Sequence, residues 1–262
     1  MTGGSAERGG NASARPGRPN HPARPVALVT GGGVRVGRAI ALGLAEDGYD
    51  LVVHYHTSAA GAREVAEAAN QLGTRAHPVQ ADLSQEHEAV RLARTTAEHF
   101  GRLDLLVNSA STFAAGDLLA VTANEWDAVM AVNLRAPFLL VRETAELLQA
   151  SRGSVVNIVD LAALQPWTGH PAHSVSKAAL LHLTRVAARR LAPEVRVNAI
   201  APGAVLVPAH FSEADIERVR ARVPLGRIGD PGDVVGAVRF LAGAGYITGE
   251  VIVVDGGAGL GG

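Results

Sequence analysis

Asp160, His173 and Lys177 are the residues of this chain whose types and spacing could move a proton. His173 and Lys177 lie four positions apart in His170-Pro-Ala-His-Ser-Val-Ser-Lys177-Ala-Ala-Leu, so a helix brings both to one face. Asp160 closes the apolar run Val156-Asn-Ile-Val-Asp160, thirteen positions before His173. A carboxyl group and an imidazole are the common general acids and bases, and a neighbouring ammonium adds a positive field. Singly, each has an ordinary explanation: a lysine on a helix is usually solvated, and a histidine at a helix start caps or packs. Their joint spacing is harder to dismiss. No ligand spacing accompanies His170 and His173, so no metal is expected.

A second constellation is suited to holding phosphate. Thr30-Gly31-Gly32-Gly33-Val34-Arg35-Val36-Gly37 joins the first apolar run to the first helical one. Glycines there let the backbone turn sharply and approach a pyrophosphate seated on the helix N-terminus, with Arg35 as a fixed cation beside it. The second strand runs into His54-Tyr55-His56-Thr57-Ser58, and its only carboxylate, Asp50, is at the wrong end. NAD sites place an acid at that strand end for the ribose 2′-hydroxyl. Without one to repel a 2′-phosphate, NADP(H) is the expected cofactor.

The elements that must position these groups follow from periodicity. Apolar runs at Val26–Thr30, Leu51–His54, Arg75–Gln80, Leu103–Val107, Ser154–Ile158, Val195–Ile200 and Glu250–Val254 read as strands. Helical spacing falls at about 36–47, 60–72, 84–100 with Ser84 as cap, 122–150, 172–191, 213–222 and 232–241. This alternation predicts a single α/β domain over 25–262, Rossmann-type and doubly wound, with a parallel sheet of about seven strands and helices on both faces. Ligands then bind at the carboxyl ends of the strands.

These motifs resemble the short-chain dehydrogenase/reductase family over about Pro25 to Gly257, and within it the pteridine reductase branch. The glycine turn is similar to the family's Thr-Gly-x-x-x-Gly-x-Gly, with Arg35 at the middle glycine as in that branch. His54–Ser58 resembles the branch's His-Tyr-His-Arg-Ser, with Thr57 replacing the arginine. The resemblance implies that Gly31, Arg35, Val36, Gly37, His54, Tyr55, His56, Thr57, Ser58, Asp82, Leu83, Asn108, Ser109, Ala110, Ser111, Lys177, Pro202, Gly203 and Val205 contact the cofactor. A helix-capping role competes for Asp82. Ser111, Phe113, Asp160 and His173 are implied on the substrate side, with Phe113 as a stacking platform or a core aromatic. Asn133, in Asn-Leu-Arg-Ala-Pro137, matches an asparagine that holds a water in a proton relay; a polar residue in an apolar helix also needs a partner for its own sake. The segment from Ala204 to about Arg222 is implied as a substrate lid, and the closing Val251–Gly257 matches the family's last strand. The chain departs from the family at His173, where a tyrosine normally serves as acid. The branch has aspartate where most members have serine, and Asp160 stands there.

The implied activity is NADPH-dependent reduction of a C=N bond in a pterin-like or cyclic imine substrate. An imine nitrogen is more basic than a carbonyl oxygen, so it demands less of the acid. Two states of the acid remain open: a protonated Asp160 beside neutral His173, or an ionised Asp160 paired with cationic His173. A carbonyl reductase or alcohol dehydrogenase using His173 directly is a second reading, and an NADP-binding module with little turnover a third.

Composition bounds the rest. The chain has 262 residues and a formal net charge of −1, which speaks against nucleic acid as a partner. It has no cysteine, which removes disulfides and thiolate chemistry and fits a cytoplasmic location. Residues 1–24, rich in Gly, Pro, Ala and Arg, read as a disordered tail without a secretory core. No apolar run nears the ~20 residues of a membrane span. A small-molecule substrate and, from the family, a homo-tetramer built on the helices carrying Asn133 and Lys177 are the expected partners.

Overall fold

The computed structural model describes residues 24–207 and 211–260. All of the expected tail but Arg24 lies outside them, as do residues 208–210 of the expected lid.

Among the described residues the chain alternates strand and helix: β1 (Val26–Val29), α1 (Arg35–Glu46), β2 (Asp50–Tyr55), α2 (Ala59–Gln71), β3 (Ala76–Gln80), α3 (Glu86–Phe100), β4 (Leu105–Asn108), α4 (Ala123–Met130), α5 (Ala136–Ser151), β5 (Ser154–Ile158), α6 (Pro171–Leu191), β6 (Arg196–Pro202), α7 (Glu213–Arg220), α8 (Pro231–Gly243) and β7 (Val251–Val254). The strands form one seven-stranded sheet in the order β3-β2-β1-β4-β5-β6-β7. Every pairing is parallel. The order reverses between β1 and β4, and a crevice opens at their carboxyl ends.

The apolar runs are continuous because both sheet faces are covered. Val26 and Leu28 of β1 pack with Leu92, Leu106, Leu140 and Val155 on one face. Their neighbours Ala27 and Val29 pack with Ile40, Leu44, Val65 and Val234 on the other. Helix α6 starts with Pro171 in its first turn and buries His173, Ser176, Lys177, Leu180, Leu181 and Thr184 as one stripe. That stripe carries the expected chemistry inward.

Three sequence expectations need correction. Ser84 does not cap α3: the cap position is Gln85, without a side-chain bond, and Glu86 and Glu88 supply first-turn negative charge. Asp82 does not cap it either, because its Oδ1 accepts the N–H of Ser84 at 3.0 Å in the turn before the helix. The long helix expected over 122–150 is broken by a π-helical turn at Ala131–Arg135. Pro137 is the cause: it has no N–H for the carbonyl of Asn133, four residues back, and its ring crowds that carbonyl. The start of the segment is secured by a capping box between Thr122 and Glu125.

Candidate active site

The crevice is built from the turn after β1. Thr30 Oγ1 accepts the N–H groups of Ser109 (2.9 Å) and Ala110 (3.0 Å), which ties this turn to the end of β4. Gly31 sits at φ +66°. A Cβ on Gly37 would lie 2.3 Å from the carbonyl oxygen of Gly31, so nothing larger than glycine fits there. Arg35 holds φ +51°, a conformation that glycine adopts freely and that costs an arginine about 1 kcal/mol. Val34 precedes α1 without a side-chain cap, so the first N–H groups of that helix are left to an anion.

His54 supports the turn from beneath. Its ring is buried; Nδ1 accepts the N–H of Gly31 at 3.0 Å and Nε2–H donates to the carbonyl of Ala81 at 3.1 Å. Burial pushes its pKa down to about 4, so the ring is neutral and the tautomer is set by its two partners.

The crevice holds about 510 Å³ and is lined by Gly31, Arg35, Val36, Gly37, His54 to Ser58, Asp82, Leu83, Ser109 to Phe113, Asp160, Pro202, Gly203 and Val205. Sequence reading passed over Gly33, Val34, Thr112, Val132, Ile158, Val159 and Leu206, which also line it. All are neighbours of the chosen motifs, Val132 being next to Asn133 in the π turn. A larger hollow of about 810 Å³ lies between Ser84 and Phe138. It is lined by the loop before α3, by residues of the segment 124–138 and by Leu183, without the glycine turn or Asp160, so the chemistry belongs to the crevice.

Four expected residues, Asn108, Asn133, His173 and Lys177, stand behind the crevice wall instead of on it. Asn108 is buried and its Nδ2 donates to Asn157 Oδ1 at 2.8 Å, part of a strut that continues from Asn157 to Thr184. His173 and Lys177 are buried as well. Lys177 Nζ donates to the carbonyl of Ile158 at 2.9 Å. Burial lowers its pKa to about 8 against the opposing pull of the Asp160 charge.

Asp160 is the acid that faces the crevice. Its side chain is 22 % exposed, against 2 % for His173. Its Oδ1 accepts the N–H of Ala162 at 3.0 Å, and its Oδ2 lies 2.6 Å from His173 Nε2. The imidazole, shorter than a phenol, sits recessed and meets the carboxyl group from behind. Phe113 lines the crevice beside the pair, 59 % exposed. His170 stacks on it at 4.1 Å and His173 meets it edge-on at 4.6 Å, with Trp167 completing the cluster. Asn133 is fully buried, and its side chain bonds Ser111, Thr112 and Ser176. The residues present therefore fit a dinucleotide: a glycine cradle that a Cβ would fill, an uncapped helix N-terminus, no carboxylate at the end of β2, and an acid at the far end.

Comparison with known proteins agrees with this geometry. The model of the enoyl-(acyl carrier protein) reductase family matches residues 33–259. A 3-oxoacyl-[acyl-carrier-protein] reductase from Synechocystis sp. is 36% identical over 237 residues, 88% of this chain and 96% of that protein. The crystal structure of acetoin dehydrogenase YohF from Salmonella typhimurium superposes with a TM-score of 0.84 at 31% identity, over 90% of this chain and 96% of that one. A blue fluorescent protein from a metagenomic library, crystallised in complex with NADPH, gives a TM-score of 0.82 at 33% identity, over 89% of this chain and 97% of that one.

Proposed function

Because the chain belongs to the short-chain dehydrogenase/reductase family, we propose that it reduces a C=N bond of a pterin-like or cyclic imine substrate, with Asp160 as the proton donor. It is an NADP(H)-dependent oxidoreductase. The observation that carries the substrate reading is the position of the Asp160 carboxyl group on the crevice wall, with His173 recessed 2.6 Å behind it.

Bound NADPH supplies the hydride. The protein's residues do the remainder. The turn of Gly31 and Gly37 with Arg35 receives the phosphates, and Lys177 adds positive charge from behind the wall. Asp160 gives its proton to the substrate nitrogen, and the carboxylate left behind faces an iminium cation. At about 4 Å and an effective dielectric near 20 that attraction is on the order of 4 kcal/mol. In carbonyl reduction the oxygen is too weakly basic to take that proton first, so the developing alkoxide meets a neutral carboxylic acid and this attraction is absent. A charge of that size decides the ranking between the two bond types.

Carbonyl reduction is kept as a second reading because a relative of 36% identity is named a 3-oxoacyl reductase. It needs Asp160 to keep a proton until the alkoxide has formed. Turnover of NADPH with a dihydropterin, a cyclic imine, a simple ketone and a 3-oxoacyl thioester separates the two. Activity confined to the last two sinks the C=N assignment, and NADPH binding without turnover of any of them leaves a binding module. The family also implies a cytoplasmic homo-tetramer. Exposed Phe138 on α5 with Val175 and Val186 on α6 support an assembly through those helices, and no described helix is long and apolar enough to cross a membrane.

A further inference from the structure

Donors and acceptors around His173 can be assigned one by one. Asn133 Oδ1 accepts the N–H of Thr112 at 2.8 Å and the hydroxyl of Ser111 at 3.2 Å. Its Nδ2 donates to the carbonyl of Thr112 at 3.0 Å and to Ser176 Oγ at 3.0 Å. Ser176 Oγ must accept there, because its own hydrogen goes to the carbonyl of His173 at 2.7 Å. Turning the amide over would set its oxygen against the Thr112 carbonyl and its hydrogens against the Thr112 N–H, so the orientation is fixed. Both amide hydrogens are thereby used. None remains for His173 Nδ1, which lies 3.4 Å from Nδ2. That ring nitrogen is also 3.2 Å from the Thr112 carbonyl, an acceptor that only an N–H can satisfy.

We propose that Asn133 is a positioning residue which, through the Thr112 carbonyl, keeps a hydrogen on His173 Nδ1 and so leaves Asp160 and His173 Nε2 to share one acid proton. With Nδ1 protonated, the 2.6 Å contact between Nε2 and Asp160 Oδ2 holds one proton, which moves to the substrate and is replaced from the crevice. Removing it without replacement sets an imidazole lone pair against a carboxylate. The pair acts as a unit, and the two states left open by the sequence are two positions of one proton. The Nδ1 hydrogen takes no part in the transfer, since a backbone carbonyl accepts it and has no proton to pass on. The other ionisable groups around the pair are Lys177, one turn along α6, and His170 across Phe113. This inference rests on Asp160 as the donor and is independent of the substrate.

The test is nitrogen NMR of histidine-labelled enzyme with NADP⁺ bound, recorded from acidic to alkaline pH. The expected result is a His173 Nδ1 that stays protonated throughout, and a far-downfield proton shared by Nε2 that disappears in Asp160→Asn. An Nδ1 without a proton in the wild type, with Nε2–H as the neutral tautomer, overturns the proposal. Asn133→Ala removes the lock but risks the fold, because Asn133 is buried. Ser176→Ala is the milder variant: it frees an amide hydrogen to reach Nδ1, and the Nε2–H tautomer should then be populated. An unchanged tautomer in Ser176→Ala also counts against it. Failure of every C=N substrate, by contrast, leaves the NMR result standing and removes only the substrate reading.

Discussion

At the scale of single residues the site turns on a division of labour between Asp160 and His173. Asp160 is on the crevice wall and His173 is behind it, so removing the carboxyl's acidity should remove the chemistry and spare the cofactor. Asp160→Asn is expected to lower kcat by about 10²–10⁴-fold, with NADPH affinity by fluorescence titration unchanged; lost affinity instead would make Asp160 structural. Lys177 carries a second expectation. Its pKa is lowered from 10.5 to about 8, so the ammonium is present below that value and lost as pH rises through it. Cofactor affinity should fall over the same interval. In Lys177→Arg that alkaline fall should move to higher pH, because a guanidinium does not titrate there; a limb that stays in place assigns it to another group. The sequence grouped Asp160 and Lys177 by spacing, and the fold sets them within electrostatic reach of each other. Spacing did not say which of Asp160 and His173 faces the crevice, because that depends on side-chain length and on where the Thr112 loop passes.

At the scale of elements, the turn between β1 and α1 is held by groups that the sequence shows only in part. Gly37 is legible as a motif glycine, and the contact with Gly31 explains why it must be one. Gly37→Ala should abolish NADPH binding in calorimetry while far-UV circular dichroism stays native; retained binding would mean the turn can shift. His54 is different. Its motif suggested contact with the cofactor; besides lining the crevice, its buried neutral ring ties Gly31 to Ala81, just past β3. Its pKa falls from 6.5 in the unfolded chain to about 4 in the fold. The unfolded state therefore takes up a proton first as pH drops. The stability that His54 contributes is whole above pH 6.5 and is lost on the way down to about 4, a change of about 3 kcal/mol. Urea midpoints should fall across that window in the wild type and less steeply in His54→Gln. The break between α4 and α5 was also legible in principle: Pro137 sits four residues after Asn133, and the apolar periodicity running through both hid it.

At the scale of the whole molecule, seven parallel strands with a reversal between β1 and β4 bring residues from 31 to 206 to one edge. Light scattering at assay concentrations checks the assembly: four copies are expected, and a lone monomer with full activity would remove the tetramer. What the sequence determined by itself was the alternation of strands and helices, the parallel sheet and the glycine turn between β1 and α1, because each is written in local spacing of apolar and glycine residues. What only the tertiary structure decided was orientation. Asp160 faces the crevice, His173 and Lys177 are buried behind it, Asn108 turns away to Asn157, and Asn133 holds the Thr112 carbonyl against the imidazole. These arrangements join segments separated by up to about sixty residues, and no local pattern encodes them. They follow from which groups remain unsatisfied once the sheet and its helices have packed.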